Sequence, residues 1–244
     1  MIFTDLPGIV NPPVIPLILC FRRISTSCRA RIYRDMGKRP HASGTPLLPL
    51  HGNLEDLRKA AKDCQACDLW KHGTQTVFGQ GAPSPKIMFI GEQPGDQEDR
   101  EGRPFVGPAG KLLDTALVEA GIERKKIYVT NAVKHFKWEP RGKRRMHKKP
   151  NSAEIAACRP WLDAEITVLH PKIIVCLGAT AAQTLLGRTF RVTEHRGEFL
   201  KSELAPYLMA TVHPSSILRA PDEKSRHDAM KQFVADLKKI ADVL

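Results

Sequence analysis

No stretch of this sequence stays apolar long enough to cross a bilayer, cysteine is sparse, and there is neither an internal repeat nor a low-complexity tract. A membrane span needs about twenty uninterrupted apolar residues. The best candidate, Gly8 to Phe21, is broken by Pro12, Pro13 and Pro16, and its arginines follow it. That order also misfits a secretory signal, which places positive charge first. Six cysteines in 244 residues are too few for a disulfide scaffold. Acidic residues are outnumbered as well: 26 Asp+Glu face 38 Lys+Arg, a formal net charge of +12. What is present is a 42% hydrophobic content, enough to bury a core. That content excludes a wholly disordered tail, a collagen-like chain and a multi-span membrane protein. The basic excess points to a polyanionic partner, most simply nucleic acid, with a basic solubility coat as the alternative.

Residues 1–45 read as a basic extension, with seven Lys/Arg against Asp5 and Asp35. It is expected to be either flexible or the product of an upstream start, with Met36 as the working one. Residues 46–244 read as one domain. Leu54 to Asp63 has helical spacing. Short apolar runs at Lys86–Gly91, Ile127–Asn131, Lys172–Gly178 and Leu208–Val212 read as buried strands. Helices are expected over Pro108–Ala120, from a Ser152 cap to before Pro171, over the Ala/Leu stretch ending at Gly187, and from Pro221 to Leu244. Strands alternating with helices imply a three-layer α/β/α fold around a mainly parallel four-stranded sheet. In such sheets the chemistry gathers where strands end in loops.

Four signals lie at those ends. Gly91-Glu92-Gln93-Pro94-Gly95 follows the first strand and runs into Asp96, Glu98 and Asp99. It carries too many carboxylates for a phosphate cradle, and a solvated acidic turn is the bland reading. Arg103-Pro-Phe105-Val-Gly107 holds an aromatic among rigid residues, a base-stacking platform or simply a core side chain. Asn131 ends the second strand with an amide suited to a pyrimidine edge. His213-Pro-Ser215-Ser216-Ile-Leu-Arg219 follows the last strand with a donor for developing negative charge and hydroxyls suited to phosphate. Cys64-Gln-Ala-Cys67 adds a spacing that in a reducing compartment means metal more often than disulfide.

In this order the motifs resemble those of the family 4, iron–sulfur uracil-DNA glycosylases, over roughly Leu54 to Leu244. The resemblance implies a uracil-DNA glycosylase-like fold and a [4Fe–4S] cluster held by a Cys-x-x-Cys pair and two later cysteines. Cys64 and Cys67 match the pair and Cys158 the fourth ligand. His135, in Lys134-His135, stands where the family has its third cysteine. Imidazole is an acceptable iron ligand. Cys176 is the rival, although its apolar setting reads as a strand thiol, and a four-coordinate zinc from the same donors stays open.

Lys134 to Lys149 carries eight Lys/Arg against one Glu. Its core, Gly142-Lys143-Arg144-Arg145-Met146-His147, resembles the inserted Lys-Arg-Arg-Ile-His loop of the UdgX branch of that family, with Met for Ile. For that branch the resemblance implies that His147 attacks the deoxyribose and stays bonded to DNA. Glu92 would stabilise the cation at C1′ and take up a proton, and His213 would hydrogen-bond the departing base. Gln93, Asp96, Phe105 and Asn131 would bind uracil. Lys143, Arg144, Arg145, Ser215, Ser216 and Arg219 would bind DNA. Arg144 and Arg145 are expected to keep His147 neutral by like-charge repulsion. The implied partner is uracil-containing DNA, single strands accepted, met by a monomer in the bacterial cytosol or nucleoid with no membrane involved. Two alternatives remain: an ordinary multiple-turnover glycosylase, and a non-catalytic nucleic-acid-binding module stapled by the cluster.

Overall fold

A computed structural model describes residues 46, 48, 49 and 52–244. The expectations placed on residues 1–45, with Cys20, Cys28 and Met36, lie outside the described residues. The four expected strands are β2 (Ile87–Gly91), β3 (Ile127–Asn131), β6 (Ile173–Leu177) and β8 (Tyr207–Thr211). They pair in parallel in the order β3-β2-β6-β8. Two-residue antiparallel strands, β1 (Gln80–Gly81) beside β3 and β7 (Phe199–Leu200, after the one-turn helix α6, Val192–His195) beside β8, extend the sheet to six. Strands this short carry no periodic signal, so the sequence yields only the central four.

Every residue of β2, β3 and β6 is buried, because helices cover both faces and leave no polar side. Side chains alternate between two cores. Phe89, Val129 and Val175 pack with Leu113 and Leu117 of α3 (Pro108–Glu119) and Phe233 and Leu237 of α8 (Glu223–Ala241). Met88, Ile90 and Ile174 pack with Leu162 and Ile166 of α4 (Ser152–Leu169) and Ala181 of α5 (Ala179–Leu186). A third cluster joins Leu57 and Ala61 of α1 (Leu54–Ala61) to Trp161 and Cys158 of α4. The cap of α4 is Asn151 rather than Ser152: its side chain accepts from the Glu154 amide, and Glu154 reaches back to the Asn151 amide. Among the described residues no helix is long and apolar enough to cross a membrane.

Between β3 and α4 the chain forms a second, separate sheet. β4 (Trp138–Arg141) and β5 (Arg144–His147) make an antiparallel hairpin with Trp138 opposite His147. Gly142, at φ 59°, opens its two-residue turn, a conformation that suits glycine. The charges along this stretch hide the strand pattern, which is why the sequence reads as a loop. Glu92 to Gly107 is likewise no solvated turn. It contains α2 (Asp96–Glu101), and the buried carboxylate of Glu98 accepts from the amides of Gly95 and Gly107 and ties the segment's ends together.

Candidate active site

Because β2, β3, β6 and β8 are parallel and in register, their C-terminal ends open on one side of the sheet. A cleft of about 810 Å³ lies there, lined among others by Glu92, Phe105, Asn131, His147, Thr180 and His213. The backbone of Glu92 is fixed by the Val133 amide, which donates to its carbonyl at 3.0 Å. Its carboxylate is engaged on both oxygens. Oε2 accepts from the Thr180 hydroxyl, and Oε1 lies 3.4 Å from Nε2 of His147.

His213 caps α7 (Pro214–Leu218). The Ser215 amide donates to its Nδ1 at 3.1 Å, and the Ser215 hydroxyl lies 2.8 Å from the same nitrogen. An amide can only donate, so Nδ1 must be the acceptor and the neutral ring carries its proton on Nε2. Burial pushes His213 down to about 4, helped by Arg219 and His147. His147 is also held below the usual histidine range, by burial first and Arg219 next, with Glu92 opposing. Arg144 and Arg145 are not the cause, contrary to the sequence expectation, since Arg219 supplies the like charge. Both imidazoles are therefore neutral at pH 7.

Phe105 is 7% exposed and stacks against His213 with ring centroids 6.1 Å apart. It adopts φ 57°, an unfavourable conformation for a side-chain-bearing residue, which costs about 1–3 kcal/mol. A Cβ on Gly91 would lie 2.4 Å from Asn131 Oδ1 and 2.8 Å from Phe105 Cζ. The absence of a side chain there lets ring and amide close over the strand end. Asn131 is 3% exposed and lines the cleft.

Gln93, Asp96 and Ser215 line the same cleft, but their side chains are engaged within the protein. Gln93 donates from Nε2 to the carbonyls of Lys137 and Lys148, at 3.1 Å each, and accepts from the Lys137 amide. It stitches the base of the β4–β5 hairpin to the end of β2 and spends both of its N–H donors there. Asp96 is bound by Arg145 and Arg100, so its carboxylate too is occupied. Arg145 is not a free phosphate ligand. Its guanidinium pairs with Asp96 at 2.5 Å and Asp99 at 2.7 Å, and lies 5.5 Å from the ring centroids of Phe136 and Trp138. It straps the hairpin to α2. Ser215 and Ser216 both turn back on His213, the first to the ring and the second to its carbonyl. Lys143, Arg144 and Arg219 are exposed, the last on the cleft wall.

Sequence reasoning missed Thr180. Three of the four main strand ends carry motifs that point to chemistry, and the fourth, at the start of α5, carries none. The same rule applied to the residues just after Lys172–Gly178 would have found it.

Cys64, Cys67 and Cys158 gather where α1, its following loop and α4 meet. Burial pushes Cys158 up to about 12, and both other thiols add to the rise. Cys158 Sγ accepts from the Lys134 amide at 3.2 Å, and Cys64 Sγ from the Trp161 indole at 3.1 Å. His135 follows Lys134, whose amide meets Cys158; its Nε2 lies 3.0 Å from Thr76 Oγ1, and burial lowers it to about 4. Among the described residues no three His, Cys, Asp or Glu side chains converge as a single metal ion requires. Cys176 lies in β6, in the core between sheet and α5. The buried ammonium of Lys134 binds Glu165, Thr130 and the carbonyl of Asn131 at 2.6–2.7 Å, and so anchors the end of β3.

The family model of the uracil DNA glycosylase superfamily matches residues 78–238. The type-4 uracil-DNA glycosylase of Sulfurisphaera tokodaii is 37% identical over 199 residues, 78% of this chain and 84% of that protein. That of Thermotoga maritima is 39% identical over 181 residues, 74% of this chain and 91% of that protein. That of Pyrobaculum aerophilum is 35% identical over 176 residues, 69% and 86% respectively.

Proposed function

This chain belongs to the uracil DNA glycosylase superfamily, and from that premise we propose that it excises uracil from DNA and is then captured by the DNA through His147, as in the UdgX branch. The observation that carries the second half is Nε2 of His147 at 3.4 Å from a Glu92 oxygen, beside the cleft that holds Asn131 and His213. Type-4 relatives are so named for glycosylase action, which supports the first half.

The chemistry follows from the charges. The bond between C1′ and the base breaks with its electron pair leaving on uracil, as negative charge that spreads to O2. The Nε2–H of neutral His213 stabilises that charge, a donor worth ~10²–10³ in rate when preorganised. Asn131 pairs with the pyrimidine edge and Phe105 stacks on the flipped base. Glu92 faces the cation at C1′. The Nε2 lone pair of His147, in the tautomer with its ring proton on Nδ1, forms the new bond to C1′, and the Nδ1 proton of the resulting imidazolium passes through solvent to the uracil anion. A nucleophile held in place has an effective molarity of ~10⁵ M or more, so it precedes water. Sugar and imidazole then have no ready leaving group between them, and the enzyme is spent.

Cys64, Cys67, Cys158 and His135 would hold a [4Fe–4S] cluster. The fit is supported by three mutually coupled thiols, two of which already accept N–H hydrogen bonds of the kind that stabilise cluster thiolates. A cube of irons needs donors spread around it rather than converging on one point, which favours a cluster over the zinc alternative. When bound, the cluster supplies a covalent staple between α1, the β3 exit and α4. Lys143, Arg144 and Arg219 meet the phosphates of a single strand, and the protein acts as a monomer. Incubation with uracil-containing single-stranded DNA followed by a denaturing gel tests the function. The expected result is an SDS-resistant adduct absent with thymine-containing DNA. Free abasic DNA in excess over protein would instead support the multiple-turnover reading.

A further inference from the structure

We propose that Thr180 is a positioning residue that fixes which oxygen of Glu92 faces His147. The side-chain hydroxyl of Thr180 donates to Oε2, and the other oxygen lies 3.4 Å from His147 Nε2. The proposal builds on the reading of Glu92 and His147 above only for what the orientation is used to do.

A glutamate on a loop has three side-chain torsions, and its two oxygens are equivalent until something distinguishes them. The backbone of Glu92 is already held by Val133, so the remaining freedom is that of the carboxylate. Charged and titratable groups surround it unevenly: His147 from β5, His213 from the end of β8 and Arg219 from the end of α7 line the same cleft. Left alone, the carboxylate would turn toward whichever of these is charged. Thr180 opposes that. It is 4% exposed, in the first turn of α5, and β-branching limits it to few side-chain rotamers. Its backbone carbonyl accepts from Thr184 Oγ1 at 2.7 Å. The start of the helix is tied to β8 by the Gly178 amide, which donates to the Thr211 carbonyl at 2.8 Å. A threonine in mid-helix commonly turns its hydroxyl to the carbonyl four residues back. Here that residue is Cys176, inside β6 and part of the sheet ladder. The hydroxyl of Thr180 is thereby left for Glu92, from a rigid base on the opposite side of the carboxylate from the hairpin.

The test uses the full chain with Thr180→Val, Thr180→Ala and Thr180→Ser. Single-turnover release of uracil from a single-stranded oligonucleotide is followed against pH. The titration midpoint of the Glu92 carboxyl carbon is followed by NMR without DNA. Losing a hydrogen bond to an ionised carboxylate should slow release about tenfold in the Val and Ala variants. It should also move the acid limb and the Glu92 midpoint up by about one pH unit. Affinity for DNA should stay constant, and Thr180→Ser should restore rate, limb and midpoint together. Slower release in all three variants with limb and midpoint unmoved would make Thr180 a packing residue and overturn the proposal, as would wild-type behaviour of Val and Ala. A wild type that releases no uracil would bring down the functional reading instead. The Glu92 midpoint would then decide Thr180: unmoved in Val and Ala it overturns the proposal, and raised in both with Ser normal it upholds it.

Discussion

Nε2 of His147 stands 3.4 Å from Oε1 of Glu92, although one residue ends a surface hairpin and the other follows the central strand of the sheet. Nothing in the local sequence of either specifies the meeting. It depends on how the hairpin is seated, and two other residues seat it: Gln93 at its base and Arg145 along its length.

His147→Ala should abolish the SDS-resistant adduct and convert the protein to repeated turnover, because water gains access to C1′ while Glu92, Asn131 and His213 remain. Adding Glu92→Gln or His213→Ala to that variant should lower release by ~10²–10³. Uracil released per protein over time checks both. A wild type that already turns over many times, with His147→Ala merely slower, would end the trapping reading.

Arg145→Ala should act through the hairpin rather than through phosphate. It leaves the fully buried Asp99 without its cation, at a cost of about 3 kcal/mol in denaturant unfolding. Adduct formation should slow with little change in the salt dependence of DNA binding. Arg144→Ala, at an exposed position, should do the reverse, flattening the log Kd against log salt plot by about one unit and leaving stability unchanged. Equal effects of the two variants on salt slope would mean that Arg145 contacts DNA.

The depressed His213 makes stability pH-dependent. The folded protein keeps this ring neutral to about pH 4, whereas the unfolded chain protonates it near the ordinary histidine value. The unfolded state therefore binds more protons between these limits, and stability falls as pH drops from about 6.5 toward 4. Urea unfolding of wild type and His213→Ala at both ends of that window should show a smaller acid-induced loss in the variant. Identical losses would place the ring in solvent.

Cys64→Ala and Cys158→Ala should each remove the visible absorbance and the iron of the purified protein, while Cys176→Ala, in the core of the sheet, should keep both. His135→Cys should retain the cluster, and His135→Ala should weaken it. Zinc without iron in metal analysis of wild type would overturn this ligand set.

The sequence by itself determined the sheet and most of the helices. Short β-branched apolar runs such as Ile87-Met-Phe-Ile and Ile173-Ile-Val-Cys176, bounded by turn residues, read as strands buried on both faces, and the Pro and Gly around Pro108–Glu119 mark where a helix starts and stops. It also delivered the residues at strand ends, because parallel strands leave their C-terminal loops together: Glu92, Asn131 and His213 line one cleft. What only the tertiary structure decided is the use made of polar side chains with more than one possible partner. Gln93, Asp96, Arg145, Ser215 and Ser216 all carry groups that could meet DNA or uracil, and each is satisfied within the protein. Arg219, rather than its hairpin neighbours, is the cation that acts on His147. Thr180 became visible only as the partner of Glu92. Hydrophobic patterning is a local property that survives in one dimension, because burial depends on period. Hydrogen bonds and ion pairs form between residues tens of positions apart, and the same donor is written identically in the sequence whether its partner is a phosphate or a buried aspartate.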